Sequence, residues 1–297
     1  MNLTGNKLGN LARIKLLSHV ARQQPSLLEF YSSDRPGTIA KICARFLAIS
    51  IPVGMLSYLL STPPAKAQIV PDSTLPTNSS VRERGDTISI EAGTTKGTNL
   101  FHSFDSFSIP TGTTAYFNNS AAIENIISRV TGKFISKIDG AIAANGAANL
   151  FLLNPNGIIF GGNARLNIGG SFLASTANSL KFADGSEFSA TASSTTPLLT
   201  VNVPIGLQFG GNSGAIRILG KGHDVIAADY QPIVRGNNSD VGLQVQPQQT
   251  LAMVGGDISL EGGVVTAQAG RIELGSVDNG LSFFCHYGEN KIEVKLN

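Results

Sequence analysis

Between residues 145 and 176 the chain switches from apolar to turn-forming residues every few positions. Apolar runs at 150–153, 158–160, 166–168 and 172–174 are separated by Gly and Asn, so short strands alternate with turns in the rhythm of a coiled β-structure. The corner between the first two runs is Asn154-Pro155-Asn156-Gly157. Pro155 sets φ at the corner, Asn156 is expected to tolerate the left-handed region, and Gly157 enters positive φ without a Cβ penalty. Because both flanks are apolar, the corner joins two buried strands.

The same pattern organises the rest of the chain. Residues 87–91 alternate polar and apolar and are expected to form a cap strand over the first coil, whose open edge would otherwise pair with any passing strand. Phe101, Phe104 and Phe107 recur at a spacing of three and are core residues, although the pattern leaves helix and irregular aromatic plug open. Strand-like pieces follow at 113–118, 123–127 and 134–138. Asn118-Asn119 either closes a turn or begins an asparagine ladder, in which side-chain amides of successive coils hydrogen-bond up the stack. From 177 to 200 the pattern loosens into Ser, Thr and Ala and predicts a hairpin or loop excursion. Coil-like pieces are expected again at 201–203, 207–209, 215–219 and 224–227. The clearest repeat is 255–275, where Ile258, Leu260, Val264, Ile272 and Leu274 are expected to point inward.

Several of these pieces carry a resemblance. Asn154-Pro155-Asn156-Gly157-Ile158, Phe160 and residues 163–172 resemble the secretion domain of filamentous haemagglutinin-like exoproteins, the passengers of two-partner secretion, and look most like cyanobacterial members. Phe101-His102-Ser103-Phe104 with Phe107, Ala115-Tyr116-Phe117-Asn118-Asn119 and residues 125–132 match in the same order, and the resemblance runs from about 69 to about 277. One departure stands out: the family's Asn-Pro-Asn-Leu motif is absent, and Ser128, Arg129, Val130, Thr131 and Gly132 occupy its place. The resemblance implies an all-β, right-handed parallel β-helix with N-terminal cap strands and the excursion noted above, spanning 81–280. It also implies a partner, an outer-membrane pore whose periplasmic polypeptide-binding domains take the chain unfolded or extended, and a secreted or cell-surface destination in support of adhesion. Asn154, Pro155, Asn156, Gly157 and Ile158 are then the candidate transporter-recognition or folding motif, with Asn118 and Asn119 second.

Charge changes the picture at the N-terminus. Only 14% of residues are charged, Gly is frequent at 33 and Trp is absent, which suits many short strands and turns. Residues 1–67 hold eight Lys/Arg against two Asp/Glu, and the remainder fourteen against eighteen. The body is therefore mildly acidic, and nucleic-acid binding loses its electrostatic footing. Lys41 and Arg45 precede an apolar run at 46–60, shorter than the ~20 residues a bilayer span needs, and Ala65-Lys66-Ala67 supplies a small-x-small pattern. Residues 1–67 thus read as an extended signal region with cleavage before Gln68. Residues 68–80, rich in Pro, Ser, Thr and Asn, read as a flexible lead-in. Cys43 and Cys285 fall in the leader and the tail, so no disulfide is expected in the coils. Residues 281–297 lose the coil spacing and read as an atypical tail, the mark of a truncation or frameshift.

Catalytic chemistry finds little support. His19, His102, His223 and His286 form no metal-ligand pair, and no Cys pair suits zinc. Neither a phosphate loop nor a Gly-x-Ser-x-Gly elbow occurs. No cofactor and no metal are expected. β-Helices also host polysaccharide lyases and hydrolases, which need clustered carboxylates; here Asp224, Asp229, Asp240 and Asp257 are scattered. His223-Asp224 with Arg235 is the one constellation that would serve a carbohydrate-active enzyme, the alternative to a non-enzymatic secretion domain; a stand-alone glycan-binding adhesin is the other.

Overall fold

The computed structural model describes residues 68–191, 197, 199–236, 242–277, 282–288 and 291–296; the expected leader, 1–67, lies outside them. The described elements are all strands. The chain opens with β1 (Gln68–Pro71), β2 (Ser79–Arg84), β3 (Thr87–Ala92) and β4 (Thr94–Lys96) and then runs through the long β5 (Asn99–Ser108). β1 and β4 pair antiparallel with β5, and β2 pairs antiparallel with β3. Three antiparallel strands thus cover the first coil, as the exposed edge of a solenoid requires. Residues 68–80, expected as a flexible lead-in, instead hold β1, which lies along β5 from Gln68 opposite Ser108.

Parallel coils follow. β6 (Thr114–Phe117) completes the first; β7 (Asn125–Val130), β8 (Ser136–Ile138) and β9 (Ala141–Ala144) form the second; β10 (Asn149–Leu153), β11 (Ile158–Phe160) and β12 (Arg165–Asn167) form the third. Each strand pairs in parallel with its counterpart one coil away: β5 with β7, β7 with β10, β8 with β11, β6 with β9, and β9 with β12. β13 (Phe172–Ser175) continues the first face, and the chain then departs into β14 (Ser179–Phe182), β15 (Glu187–Ser189) and β16 (Pro204–Gln208), an antiparallel sheet. It rejoins the coils at β17 (Ile216–Leu219), leaves again for the hairpin β18 (Val225–Ile226) and β19 (Val234–Arg235), and closes through β20 (Leu243–Val245), β21 (Thr250–Gly255), β22 (Ile258–Glu261), β23 (Val265–Ala267) and β24 (Arg271–Ser276). β25 (Ser282–Gly288) and β26 (Lys291–Leu296) form an antiparallel hairpin that extends the excursion sheet beside β16. The expected parallel β-helix is the architecture found.

Two cores result from one sheet. Leu100, Ile126, Leu150, Phe172 and Leu251 stack in register and point into the coil, whereas Phe101, Ile127, Phe151, Leu173 and Ala252 stack on the opposite face. The excursion sheet covers that second face with Leu180, Phe182, Phe188, Leu207 and Phe209. β7, β10, β13 and β21 are consequently buried at every position, which is why β10, β13 and β21 carry consecutive rather than alternating apolar residues.

Four expectations are corrected. The Phe101-Phe104-Phe107 segment is neither helix nor plug; it is β5, and a register shift opposite Val70 and Pro71 leaves Asp105 unopposed. That bulge reverses the alternation, so Phe104 and Phe107 enter the same core despite their odd spacing. Residues 207–208 belong to β16 of the excursion, not to a coil, and 225–226 belong to the hairpin, where Val225 and Ile226 are exposed. Ile272 and Leu274 continue the inward stacks above Leu251 and Met253, yet they are 42% and 45% exposed, because no described coil lies on theirs; Leu260 on β22 is exposed likewise.

Candidate functional site

The Asn154-Pro155-Asn156-Gly157 corner lies between β10 and β11, held from the coil before and the coil after. Asn154 is 0% exposed, and its amide is used at both ends. Nδ2 donates to the carbonyl of Phe134 at 3.0 Å and to Ser136 Oγ at 2.9 Å. Oδ1 accepts from the backbone N–H of Asn156 at 3.0 Å and from its Nδ2 at 2.9 Å. Asn156 Nδ2 also donates to the carbonyl of Gly132 at 2.8 Å. From the other side, Gly214 N–H donates to the Pro155 carbonyl at 2.8 Å and Ile158 N–H to the Ala215 carbonyl at 3.0 Å. Gly157 does take positive φ, 127°, and a Cβ there would stand 3.1 Å from the Ala215 carbonyl oxygen. Asn156 is not in the left-handed region; its side chain matters as a donor, not as a conformational concession.

Asn118 and Asn119 close the turn after β6 and also form a ladder step. Asn119 Nδ2 donates to the Asn145 carbonyl at 3.1 Å, its Oδ1 accepts from the Asn145 N–H at 2.9 Å, and Asn145 Nδ2 donates to the Asn119 carbonyl at 2.9 Å. Asn118 is exposed and reaches Asn145 Nδ2 at 3.4 Å. Tyr116 donates its hydroxyl to Asn145 Oδ1. The two candidate motifs therefore occupy separate corners of the coil; the fold does not bring them together.

A deeper ladder escaped the sequence reading. Asn99, Asn125 and Asn149 begin β5, β7 and β10 in register. Asn125 Nδ2 donates to Asn99 Oδ1 at 2.9 Å, Asn149 Nδ2 to Asn125 Oδ1 at 3.1 Å, and Asn149 Oδ1 accepts from Ser171 N–H at 2.9 Å. Separations of 26, 24 and 22 residues, each Asn followed by apolar residues, were the signal available.

Residues 128–132 hold the second unforeseen feature. Arg129, 3% exposed, donates from Nε to Ser103 Oγ at 2.8 Å, from one terminal nitrogen to Thr74 Oγ1 at 2.8 Å and from the other to the Ser189 carbonyl. Its guanidinium lies 4.3 Å from the ring centroid of Phe188. Asp72 accepts from the hydroxyls of Ser103 and Thr131, each at 2.6 Å, and of Thr74 at 2.7 Å. Burial alone would push the Asp72 carboxyl up, yet these hydrogen bonds, with one from Thr74 N–H, outweigh it and hold it below the ordinary carboxylate range. Burial pulls the Arg129 guanidinium down, opposed by the charge of Asp72. Segment 72–74, two coils and the excursion hairpin converge on one arginine.

His102 is buried at 1% exposure. Nδ1 lies 2.9 Å from Ser79 Oγ on β2, its ring lies 5.3 Å from that of Phe117, and Nε2 has no hydrogen-bond partner. Burial carries its pKa down to about 3, so it is a neutral structural histidine and offers neither base nor ligand. His223 and Asp224 are exposed on a cleft of about 690 Å³ with Gly162, Asn163, Arg165, Gly220, Lys221 and Gly222. The side chain of Arg235 and all of Asp240 lie outside the described residues, and no metal-holding cluster of His, Cys, Asp and Glu occurs among the described ones.

The sequence pattern of one family, the TPS (two-partner secretion) secretion domain, matches residues 67–286. The chain belongs to that family. TPS secretion domains belong to proteins secreted across the outer membrane of Gram-negative bacteria. TPS secretion domains are not enzymes. Among solved structures the chain is similar to the HMW1 secretion domain from Haemophilus influenzae, at 18% identity and a TM-score of 0.50, covering 77% of this chain and 48% of that one. The chain thus spans about half the length of that structure. It also matches a filamentous hemagglutinin secretion domain at 14% identity and a TM-score of 0.34, over 70% of this chain and 99% of that one. No curated protein sequence matches it.

Proposed function

We propose that the transporter's periplasmic domains read residues 154–158 in the unfolded chain, with Asn118 and Asn119 as a second contact, and that folding outside the cell withdraws them. The observation that carries this reading is the complete burial of Asn154, whose donors and acceptor are all engaged once the coils stack. In the folded domain the Asn154 amide has nothing left to offer, so its recognition belongs to the extended chain and folding makes transfer one-way. Export starts with cleavage before Gln68, where β1 itself starts. Each coil then finds its hydrogen-bond partners on the one before it. The exported protein serves adhesion from the surface of a cyanobacterial-type envelope.

Asn154→Ala with Asn156→Ala is expected to reduce pore-dependent appearance in the medium to background. The urea-unfolded variant should also lose binding to the pore's periplasmic domains. Asn154→Ala alone should cost about 2–3 kcal/mol in the folded state, since it strands several buried partners. Export of the double variant at the unsubstituted level would sink the recognition role. Full binding of the unfolded variant with failed refolding would reduce the motif to a structural corner.

A further inference from the structure

The corner that folding buries also carries a chemically labile pair. Asn156 is followed by Gly157, and an Asn-Gly pair is the arrangement in which a backbone nitrogen most easily reaches a side-chain amide, because glycine places no Cβ in the way. Gly157 N attacks Cγ of Asn156 and forms a five-membered succinimide. The Cγ–Nδ2 bond breaks, and Nδ2 leaves as ammonia with the proton given up by the Gly157 N–H. Water then opens the ring at either carbonyl, leaving Asp or isoaspartate. The net change is one water consumed and one ammonia released, and no oxidant or cofactor takes part.

The folded corner blocks each element of that reaction. The attacking nitrogen is engaged, since Gly157 N–H donates to the Asn154 carbonyl at 3.1 Å. The leaving nitrogen is engaged too, because Asn156 Nδ2 is pinned on the Gly132 carbonyl and on Asn154 Oδ1. Gly157 is buried between coils, with Ser136 N–H donating to its carbonyl at 3.1 Å. The product would not fit: a carboxylate at position 156 turns a donor into an acceptor facing two acceptors, the Gly132 carbonyl and Asn154 Oδ1. Isoaspartate would in addition insert a methylene into the backbone of a corner whose register is set on both sides, with Gly214 N–H on the Pro155 carbonyl and Ile158 paired with Ile216.

We propose that Asn156-Gly157 is a deamidation site open only in the unfolded chain, and that its modification permanently removes that chain from the folding-competent pool. The consequence for export rests on the reading above, in which the chain crosses the periplasm unfolded; the chemistry does not. A chain that waits too long for its pore loses the corner needed to fold beyond it. Asn145-Gly146 provides an internal reference: it is a second Asn-Gly pair, on a surface turn with Gly146 exposed.

The test needs no transporter. The full chain is incubated at mildly alkaline pH, native and in urea, and the peptides carrying Asn156 and Asn145 are followed by mass spectrometry. Asn156 should deamidate in urea alongside Asn145, and at least about tenfold more slowly in the native chain, where reaction must await opening of the corner. The urea sample is then diluted, the protease-resistant refolded pool is separated, and modified Asn156 is counted in it. The refolded pool should be depleted of modification at 156, and Asn156→Asp should fail to refold. Equal modification of refolded and input chains, equal rates at Asn156 in native and unfolded protein, or normal refolding of Asn156→Asp would each overturn the proposal.

Discussion

Replacing Arg129 with Ala is expected to destabilise the folded chain by about 3 kcal/mol. The figure follows from what a buried, fully hydrogen-bonded guanidinium leaves behind when it is removed: Ser103 Oγ, Thr74 Oγ1 and the Ser189 carbonyl lose a donor, and the Phe188 ring loses its cation. Arg129→Lys should recover less than half, because an ammonium cannot present the same fork to three directions. Urea denaturation of the full chain followed by β-sheet circular dichroism reads the effect. Asp72→Asn gives the companion measurement. In a double-mutant cycle the two substitutions should be strongly non-additive, because both act on the network shared with Ser103 and Thr74; additive losses, or an Arg129→Ala cost below about 1 kcal/mol, would show that the arginine is merely accommodated. The contribution of Asp72 has a pH signature. Its carboxyl is held below the unfolded value, so the stabilisation is complete above about pH 4 and disappears as pH falls through the folded value.

Acid should weaken the fold earlier than carboxylate titration alone would. In the unfolded chain His102 accepts a proton near pH 6.5, whereas in the folded core it does so only near 3. Between those values the unfolded state binds more protons, so stability rises with pH across this window and falls on acidification, by up to about 1.4 kcal/mol per pH unit below about 6. The physical cause is the dry environment formed by Phe104 and Phe117, with Nε2 lacking any partner to share a positive charge. His102→Phe removes the titration and the ring partner of Ser79 Oγ, which keeps only the Ser103 N–H at 3.4 Å, at a cost of about 1 kcal/mol at neutral pH. Urea midpoints at pH 7, 6 and 5, above most carboxylate titration, should fall for the unsubstituted chain and stay nearly level for the variant. Parallel pH slopes in the two proteins would exclude His102 as the acid-sensitive group.

The family and the coiled β-architecture were legible because their signals are local. A turn such as 154–157 announces itself through Pro and Gly, and the apolar runs of β10 and β13 announce burial on both faces. The Asn119 ladder step was anticipated as one of two readings of a dipeptide. The Asn99-Asn125-Asn149 ladder was not, although its spacing was present, since an isolated Asn before an apolar run looks like an ordinary turn residue. The misread pieces at 207–208 and 225–226 have the composition of coil strands; only their neighbours make them members of an antiparallel sheet and an exposed hairpin. Composition cannot distinguish these, because a strand's pairing partner is not encoded in the strand itself.

By itself the sequence determined where the 154–157 corner turns, that the runs of β10 and β13 are buried, and that the chain coils. The tertiary structure decided what Arg129, Asp72 and His102 do. Each is a polar residue whose effect depends on groups brought from 23 residues or more away, as Ser79 is for His102, Ser103 and Thr131 for Asp72, and Thr74 and Ser189 for Arg129. Turn and strand preferences arise from a residue's own backbone and immediate neighbours, so a linear reading reaches them. A buried charge is settled by desolvation and by partners that exist only after the coils have stacked, and no linear reading reaches that.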